Sequence, residues 1–204
     1  MQIFTFEVMK NFFLFLLTTI SISFLSAQNK PEGLFINSKA PDFKLKDQDG
    51  KDVSLRELKK KGPVVIVFYR GNWCPYCNRY LQQLQDSLEL IKKKGAQLVA
   101  ITPELQEGIQ KTIEKTKASF PILHDDDLKM MKAYDVAFQV DDRTMGRYKN
   151  AGIDLVAIND KKNANYLPVP AVYIVNKEGA ITYRFFDSDY KKRVSVREIL
   201  ANLK

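Results

Sequence analysis

Val64-Val65-Ile66-Val67-Phe68-Tyr69 is an unbroken run of β-branched and aromatic residues with no polar residue alternating through it. A strand with one solvated face alternates, so a run of this kind belongs to a strand covered on both faces. Gln97-Leu98-Val99-Ala100-Ile101-Thr102 is a second run of the same kind. Parallel neighbours of that sort need crossovers, usually helical. The stretch between them supplies one: Leu81, Leu84, Leu88 and Ile91 recur at helical spacing from Pro75 to Lys93, and Gly95 ends the helix.

The flanking sequence extends the pattern. Ala40 to Leu45 alternates like a strand, Asp49-Gly50 makes a hairpin turn, and Lys51-Asp52-Val53 returns. Ser54 and Glu57 form a capping box for a helix over Leu55 to Lys60, which Gly62-Pro63 ends. After the second buried strand, Pro103 starts a helix running to about Lys117, with Gly108 a weak point. Phe120 to Leu123 reads as a short strand. Asp125-Asp126-Asp127 precedes a helix over Leu128 to Tyr134. These acids are adjacent rather than spaced as in a calcium loop, so capping explains them better. Residues 137 to 166 form a long excursion, partly helical, of the kind that often shapes a site. Val172 to Val175 and Ala180 to Phe185 make a hairpin around Asn176 to Gly179, and a last helix covers Ser195 to Leu203. The sequence of elements predicts an α/β three-layer sandwich, a mixed central sheet with helices on both faces.

The only two cysteines fall in Trp73-Cys74-Pro75-Tyr76-Cys77, where the first buried strand gives way to a helix. Pro75 suits the first helical position, because its fixed φ is helical and its missing N–H would have had no partner. Cys74 is then the N-cap, facing free amides and the positive end of the helix dipole, which favour thiolate over thiol. A structural staple is a weak reading of the pair. Closing a loop of about four residues is worth about 2 kcal/mol, against about 4.7 for a loop of about 100. Zinc needs about four Cys or His ligands, and beyond the pair the chain offers only His124. No metal or other cofactor is implied, and the pair reads as redox-active.

Residues 1–27 differ from the rest. Phe12 to Leu25 is nearly all apolar, Lys10 precedes it and Ser26-Ala27-Gln28 follows, so the segment reads as a signal peptide cleaved after Ala27, with an uncleaved anchor as the alternative. The apolar stretch is short for a membrane span. Residues 28–204 then make a single exported domain, periplasmic or extracellular, with no stable membrane span after processing. Met9-Lys10-Asn11 is an alternative start. In an oxidising compartment an accessible pair rests as the disulfide unless a reductant acts on it, which implies a thiol partner. The net charge of +8 is spread over short clusters (Lys59 to Lys61, Lys92 to Lys94, Lys161-Lys162, Lys191 to Arg193) beside turns and helix ends. They read as solvated surface, not as a nucleic-acid stripe.

Ala40-Pro41-Asp42-Phe43 with Asp49-Gly50, the segment Phe68-Tyr69-Arg70-Gly71-Asn72-Trp73-Cys74-Pro75-Tyr76-Cys77, and Leu167-Pro168-Val169-Pro170-Ala171-Val172-Tyr173 together resemble the peroxiredoxins. These are the alkyl hydroperoxide reductase and thiol-specific antioxidant group of the thioredoxin fold. The resemblance covers roughly Ala40 to Lys204. On the ordinary peroxiredoxin motif Cys77 takes the peroxidatic position, Cys74 that of a threonine, Arg70 that of a proline and Pro170 that of an arginine. On thioredoxin, Cys74 becomes the exposed attacking thiol and Cys77 the resolving one, while Pro170, after Val169, matches the cis proline beside the disulfide. Thioredoxin's buried acid falls near Val67. Arg70 and Arg79 are candidates to lower a thiol pKa, or else pair with surface carboxylates. Trp73 and Tyr76 read as an apolar docking rim, Phe68 and Tyr69 as core.

The resemblance implies an enzyme that reduces hydroperoxides through a Cys74–Cys77 dithiol, with electrons from a thiol reductant protein or a small thiol. The alternative is a thioredoxin-like oxidoreductase acting on protein disulfides; a third reading is a binding module with an idle disulfide. A homodimer is compatible with any of these.

Overall fold

The strand Val64–Phe68 (β3) lies at the centre of the sheet, buried at every residue. The computed structural model describes residues 30–203; the expected signal peptide and cleavage site fall outside them. A small hairpin comes first, Lys44–Lys46 (β1) antiparallel to Asp52–Ser54 (β2). Its turn is tied by the Asp47 carboxylate, which accepts from Asp49 and Lys51 N–H. Residues 40–43, expected to belong to its first strand, run elsewhere: Ala40 N–H donates to Gly179 O, and Lys39 bridges Ala180. Helix Leu55–Lys61 (α1) begins at Ser54, whose Oγ accepts from Glu57 N–H.

After β3 come Pro75–Asp86 (α2) and Leu88–Lys93 (α3), two helices where the spacing predicts one. The break is at Ser87, with φ −106° and ψ 7°. Strand Gln97–Thr102 (β4) is followed by Gln106–Thr116 (α4), which starts three residues later than Pro103 predicts. Leu105 N–H donates to Ile158 O, and Glu104 turns inward, fully buried. Gly108, expected as a weak point, gives that side chain room: a Cβ there would lie 2.9 Å from Glu104 Oε1. Strand Ile122–His124 (β5) leads to a short 3-10 turn and helix Lys129–Ala133 (α5). Of the three aspartates, Asp125 caps, accepting from Met130 and Met131 N–H at 2.8 Å each.

The excursion contains Ala137–Gln139 (β6), Asp142–Asn150 (α6), Leu155–Ile158 (α7), a 3-10 turn Lys161–Asn163 and Tyr166–Pro168 (β7). β6 and β7 pair antiparallel. Ala171–Val175 (β8) and Ile181–Phe186 (β9) form the last hairpin, and Val196–Asn202 (α8) closes the chain.

The main sheet has the order β5-β4-β3-β8-β9. β3 is parallel to β4 and antiparallel to β8, so the sheet is mixed, as the element pattern predicts. Alternate residues of β3 feed two cores. Val65 and Val67 join Leu81, Leu84, Ile91, Ile109 and Ile199, from α2, α3, α4 and α8. Val64, Ile66 and Phe68 join Leu55 and Met131, from α1 and α5. That is the thioredoxin-like three-layer sandwich. A third cluster, Val140, Leu155 and Leu167, packs against Trp73 with Met145 and Tyr148, which brings the excursion onto the loop that carries the cysteines.

Candidate active site

β3 ends at Phe68, and residues 69–73 lead to Cys74, the N-cap of α2, with Pro75 at the first helical position. One turn of helix brings the two sulfurs together: Cys77 Sγ donates to Cys74 Sγ at 2.8 Å. Both cysteines are reduced and buried, each 1% exposed. The exposed first thiol that the thioredoxin comparison predicts is therefore covered, because Cys74 packs into the same core as Tyr80 and Leu81.

The pair divides its acidity. Cys74 is lowered to about 6, foremost by the thiol hydrogen bond from Cys77, against the opposing effect of burial. The Cys77 N–H and the positive charges of Arg70 and Arg193 act in the same direction. Cys77 is pushed well up, first by burial and then by the Cys74 sulfur that its thiol bonds. The Cys77 thiol is thus the foremost of these causes, ahead of the Cys77 N–H at the start of the helix.

Arg70 is 2% exposed. Its Nη2 donates to Tyr148 OH. The guanidinium lies 4.6 Å from the Trp73 ring centre and 4.4 Å from that of Tyr190. Among the described residues it makes no ion pair, so the aromatic faces and one phenol are its surroundings. Arg79, the other arginine expected beside the sulfurs, is exposed, and the cation that joins Arg70 is Arg193, whose Nη2 donates to Cys77 Sγ at 3.4 Å.

Trp73 is half-buried, its ring centre 5.1 Å from that of Tyr148. Tyr76 is exposed and meets Tyr190 edge-on at 5.9 Å. Val169 and Pro170 join β7 to β8 and are buried; Val169 N–H donates to Val136 O. Phe68 pairs with Ala171, and continuing that register sets Pro170 opposite Tyr69. Among the described residues no peptide bond is cis, so Pro170 departs from the thioredoxin proline it matches in sequence.

Residues that sequence reasoning missed complete the surroundings. Glu104 Oε1 accepts from Asn72 N–H at 2.7 Å and Asn72 Nδ2 at 2.6 Å. Its Oε2 accepts from Tyr69 OH and Thr112 Oγ1. Burial holds this carboxyl above its ordinary range, against those hydrogen bonds. Gly71, with φ 149°, fits between this carboxylate and Trp73: a Cβ would lie 2.6 Å from Trp73 Nε1 and 2.9 Å from Glu104 Oε1. One signal could have found Glu104, an acid just past the carboxyl end of a central strand, where open α/β sheets carry their sites. Tyr148 and Tyr190 carry no such signal, and Arg193 was grouped with the surface bases.

A buried dithiol of divided acidity, at a helix N-terminus in a thioredoxin-like sandwich, defines a thiol-based redox protein. The AhpC/TSA family pattern matches residues 36–184, and the chain belongs to that family. Chloroplastic peroxiredoxin Q from Sedum lineare is 35% identical over 127 residues, 60% of this chain and 68% of its own length. The thiol-disulfide oxidoreductase ResA of Bacillus subtilis is 30% identical over 107 residues, 52% of this chain and 59% of its own length. The chain spans 46% to 68% of the length of the first three curated relatives it matches. The crystal structure of peroxidoxin BcpB from Mycobacterium tuberculosis is similar with a TM-score of 0.64 at 17% identity, over 82% of this chain and 95% of that one. That likeness is one of fold.

Proposed function

We propose that the protein is a thiol peroxidase in which Cys74 attacks and Cys77 resolves. The Cys74 thiolate displaces an alcohol or water from a hydroperoxide by attack on the O–O bond, becoming a sulfenic acid. Cys77 then condenses with it, forming the Cys74–Cys77 disulfide and releasing water. An external thiol carrier, a reductant protein or a small thiol, returns both sulfurs to the reduced state.

The observation that carries this reading is a sulfur that is only 1% exposed and accepts the hydrogen bond of a second thiol at 2.8 Å. A hydroperoxide can reach such a sulfur past small side-chain movements, whereas attack on a folded partner's disulfide, like the later approach of a protein reductant, first needs the loop to bring the sulfur to the surface. Arg70 serves as a fixed positive charge beside Cys74, Trp73 and Tyr76 form the rim, and Pro75 sets the start of the helix. Val169 and Pro170 frame the loop from the β8 side. Arg79 has no role in this reading.

Action on protein disulfides is the second reading, supported by the similarity to ResA and by the Cys-Pro-Tyr-Cys spacing. Stopped-flow loss of thiol with hydrogen peroxide, run beside insulin-disulfide reduction, separates the two. Oxidation no faster than that of free cysteine would overturn the peroxidase.

The same proposal takes residues 1–27 as a signal peptide and 28–204 as one exported domain, periplasmic or extracellular, able to act as a monomer or homodimer. Among the described residues no helix is long and apolar enough to cross a membrane.

A further inference from the structure

The second sulfur poses a chemical problem that the first does not. Cys77 is buried and its proton is held tightly, yet resolution requires it to act as a nucleophile. In the resemblance to thioredoxin the buried acid falls near Val67, which cannot take a proton, and the Glu104 oxygens are occupied by Asn72, Tyr69 and Thr112. What touches Cys77 instead is a guanidinium. Arg193 stands on the strap between β9 and α8, with Nη2 3.4 Å from Cys77 Sγ. The group is held in place: Nη1 donates to the carbonyls of Tyr190 and Lys192 at 2.6 Å each, and its centre lies 5.8 Å from the Tyr80 ring centre.

We infer that Arg193 is a catalytic residue of the resolving step, stabilising negative charge on Cys77 as it attacks oxidised Cys74 and again as it leaves when the disulfide is reduced. The inference rests on the proposed order of attack, Cys74 first. In resolution the S–S bond forms as the S–O bond of the Cys74 sulfenic acid breaks, and the Cys77 proton departs with the hydroxide as water. In reduction the thiol carrier attacks Cys74, and the electron pair of the broken S–S bond settles on Cys77 next to the guanidinium. A planar, always-charged donor suits a transient thiolate better than a titratable one does. The other charged or titratable groups around Cys77 are Cys74 and Arg70 on the loop and Tyr80 on its own helix. Beyond Tyr80 lie Tyr183 of β9 and Glu198 of α8, bonded to each other at 2.7 Å.

The test compares the reduced full chain with Arg193→Gln, Arg193→Lys and, as a charge control on an exposed side chain, Arg197→Gln. Each is mixed with oxidised glutathione and separately with hydrogen peroxide. With glutathione disulfide, Cys77 must displace glutathione from the mixed disulfide on Cys74, so this arm does not depend on peroxide chemistry. Arg193→Gln is expected to slow resolution about tenfold relative to first attack. The mixed disulfide should accumulate on Cys74 in one arm and a dimedone-trapped sulfenic acid in the other. The lysine variant should recover part of the rate, and Arg197→Gln should resolve like the parent. In a Cys74→Ser background, Arg193→Gln should move alkylation of Cys77 to higher pH. Unchanged resolution together with unchanged Cys77 alkylation overturns the inference. Failure of every variant to react with peroxide, while glutathione disulfide still shows the Arg193 effect, overturns the peroxidase reading and leaves the role of Arg193 standing.

Discussion

Replacing Glu104 tests whether the cysteine loop is held by a buried carboxylate. The side chain is fully buried and accepts two hydrogen bonds from Asn72, at 2.7 and 2.6 Å, and two from Tyr69 and Thr112, both at 3.3 Å. Alanine removes the acceptor from all four. Tyr69 and Thr112 keep each other, 3.4 Å apart, but the Asn72 backbone N–H cannot turn away and its amide has little room. Two buried donors without partners, at about 1–3 kcal/mol each, place Glu104→Ala about 2–6 kcal/mol below the parent. Glutamine keeps the acceptor towards Asn72 and offers an N–H₂ to two hydroxyls that can rotate to accept it, so it should lie within about 1 kcal/mol of the parent. Urea unfolding at pH 7, followed through the single tryptophan, reads both variants, since Trp73 follows Asn72. The pH dependence adds a sign. Burial raises the Glu104 carboxyl, so the folded state holds that proton more tightly than the unfolded chain does. Folding is unaffected by this group below its unfolded pKa of about 4.3 and loses stability as pH rises through the higher folded value. Glu104→Gln should therefore gain on the parent as pH rises from about 4 to 7. Glutamine as damaging as alanine, or an alanine variant within about 1 kcal/mol of the parent, would refute the reasoning.

Alkylation of the reduced protein should show one thiol reacting with a midpoint near pH 6, the Cys74 value, and Cys74→Ser should abolish that transition. A thiol lowered on folding adds stability above its unfolded pKa of about 8.5, and this is lost as pH falls through 6. The unfolding midpoint of the reduced parent minus that of Cys74→Ser should accordingly rise from pH 5 to 8.5. Gly62→Ala would place a Cβ 1.8 Å from Gly95 O, a clash of backbone with no side chain to move, and should cost more than about 4 kcal/mol, read as loss of soluble folded protein. Tyr148→Phe takes the hydroxyl from Arg70 Nη2, whose Nε is already buried without a partner. It should lower stability in denaturant by about 1–3 kcal/mol while leaving the Cys74 alkylation midpoint within about half a pH unit, because the guanidinium charge stays.

The central strands were legible because burial on both faces leaves an unalternating apolar run, and α1 because Ser54 and Glu57 spell its first turn. Element limits were less so. Ser87 breaks a helix whose apolar spacing continues through it, and Gln106 rather than Pro103 begins α4 because Leu105 and Glu104 have partners far along the chain. In the site, adjacency along the chain made Cys74, Pro75 and Cys77 visible together. Arg193 is 116 residues from Cys77, and Tyr148 is 78 from Arg70, with nothing local to distinguish either from an ordinary surface residue.

By itself, then, the amino-acid order determined the mixed sandwich, the helix that opens at Pro75 and the spacing of two sulfurs one turn apart, since propensity, capping and periodicity act between near neighbours. Tertiary structure alone decided that Cys74 is covered rather than exposed, that Arg193 reaches Cys77 while Arg79 lies exposed, and that Glu104 braces the loop. Burial and charge at a point in space come from segments distant in the chain, and it is these that separate the acidity of two otherwise identical thiols.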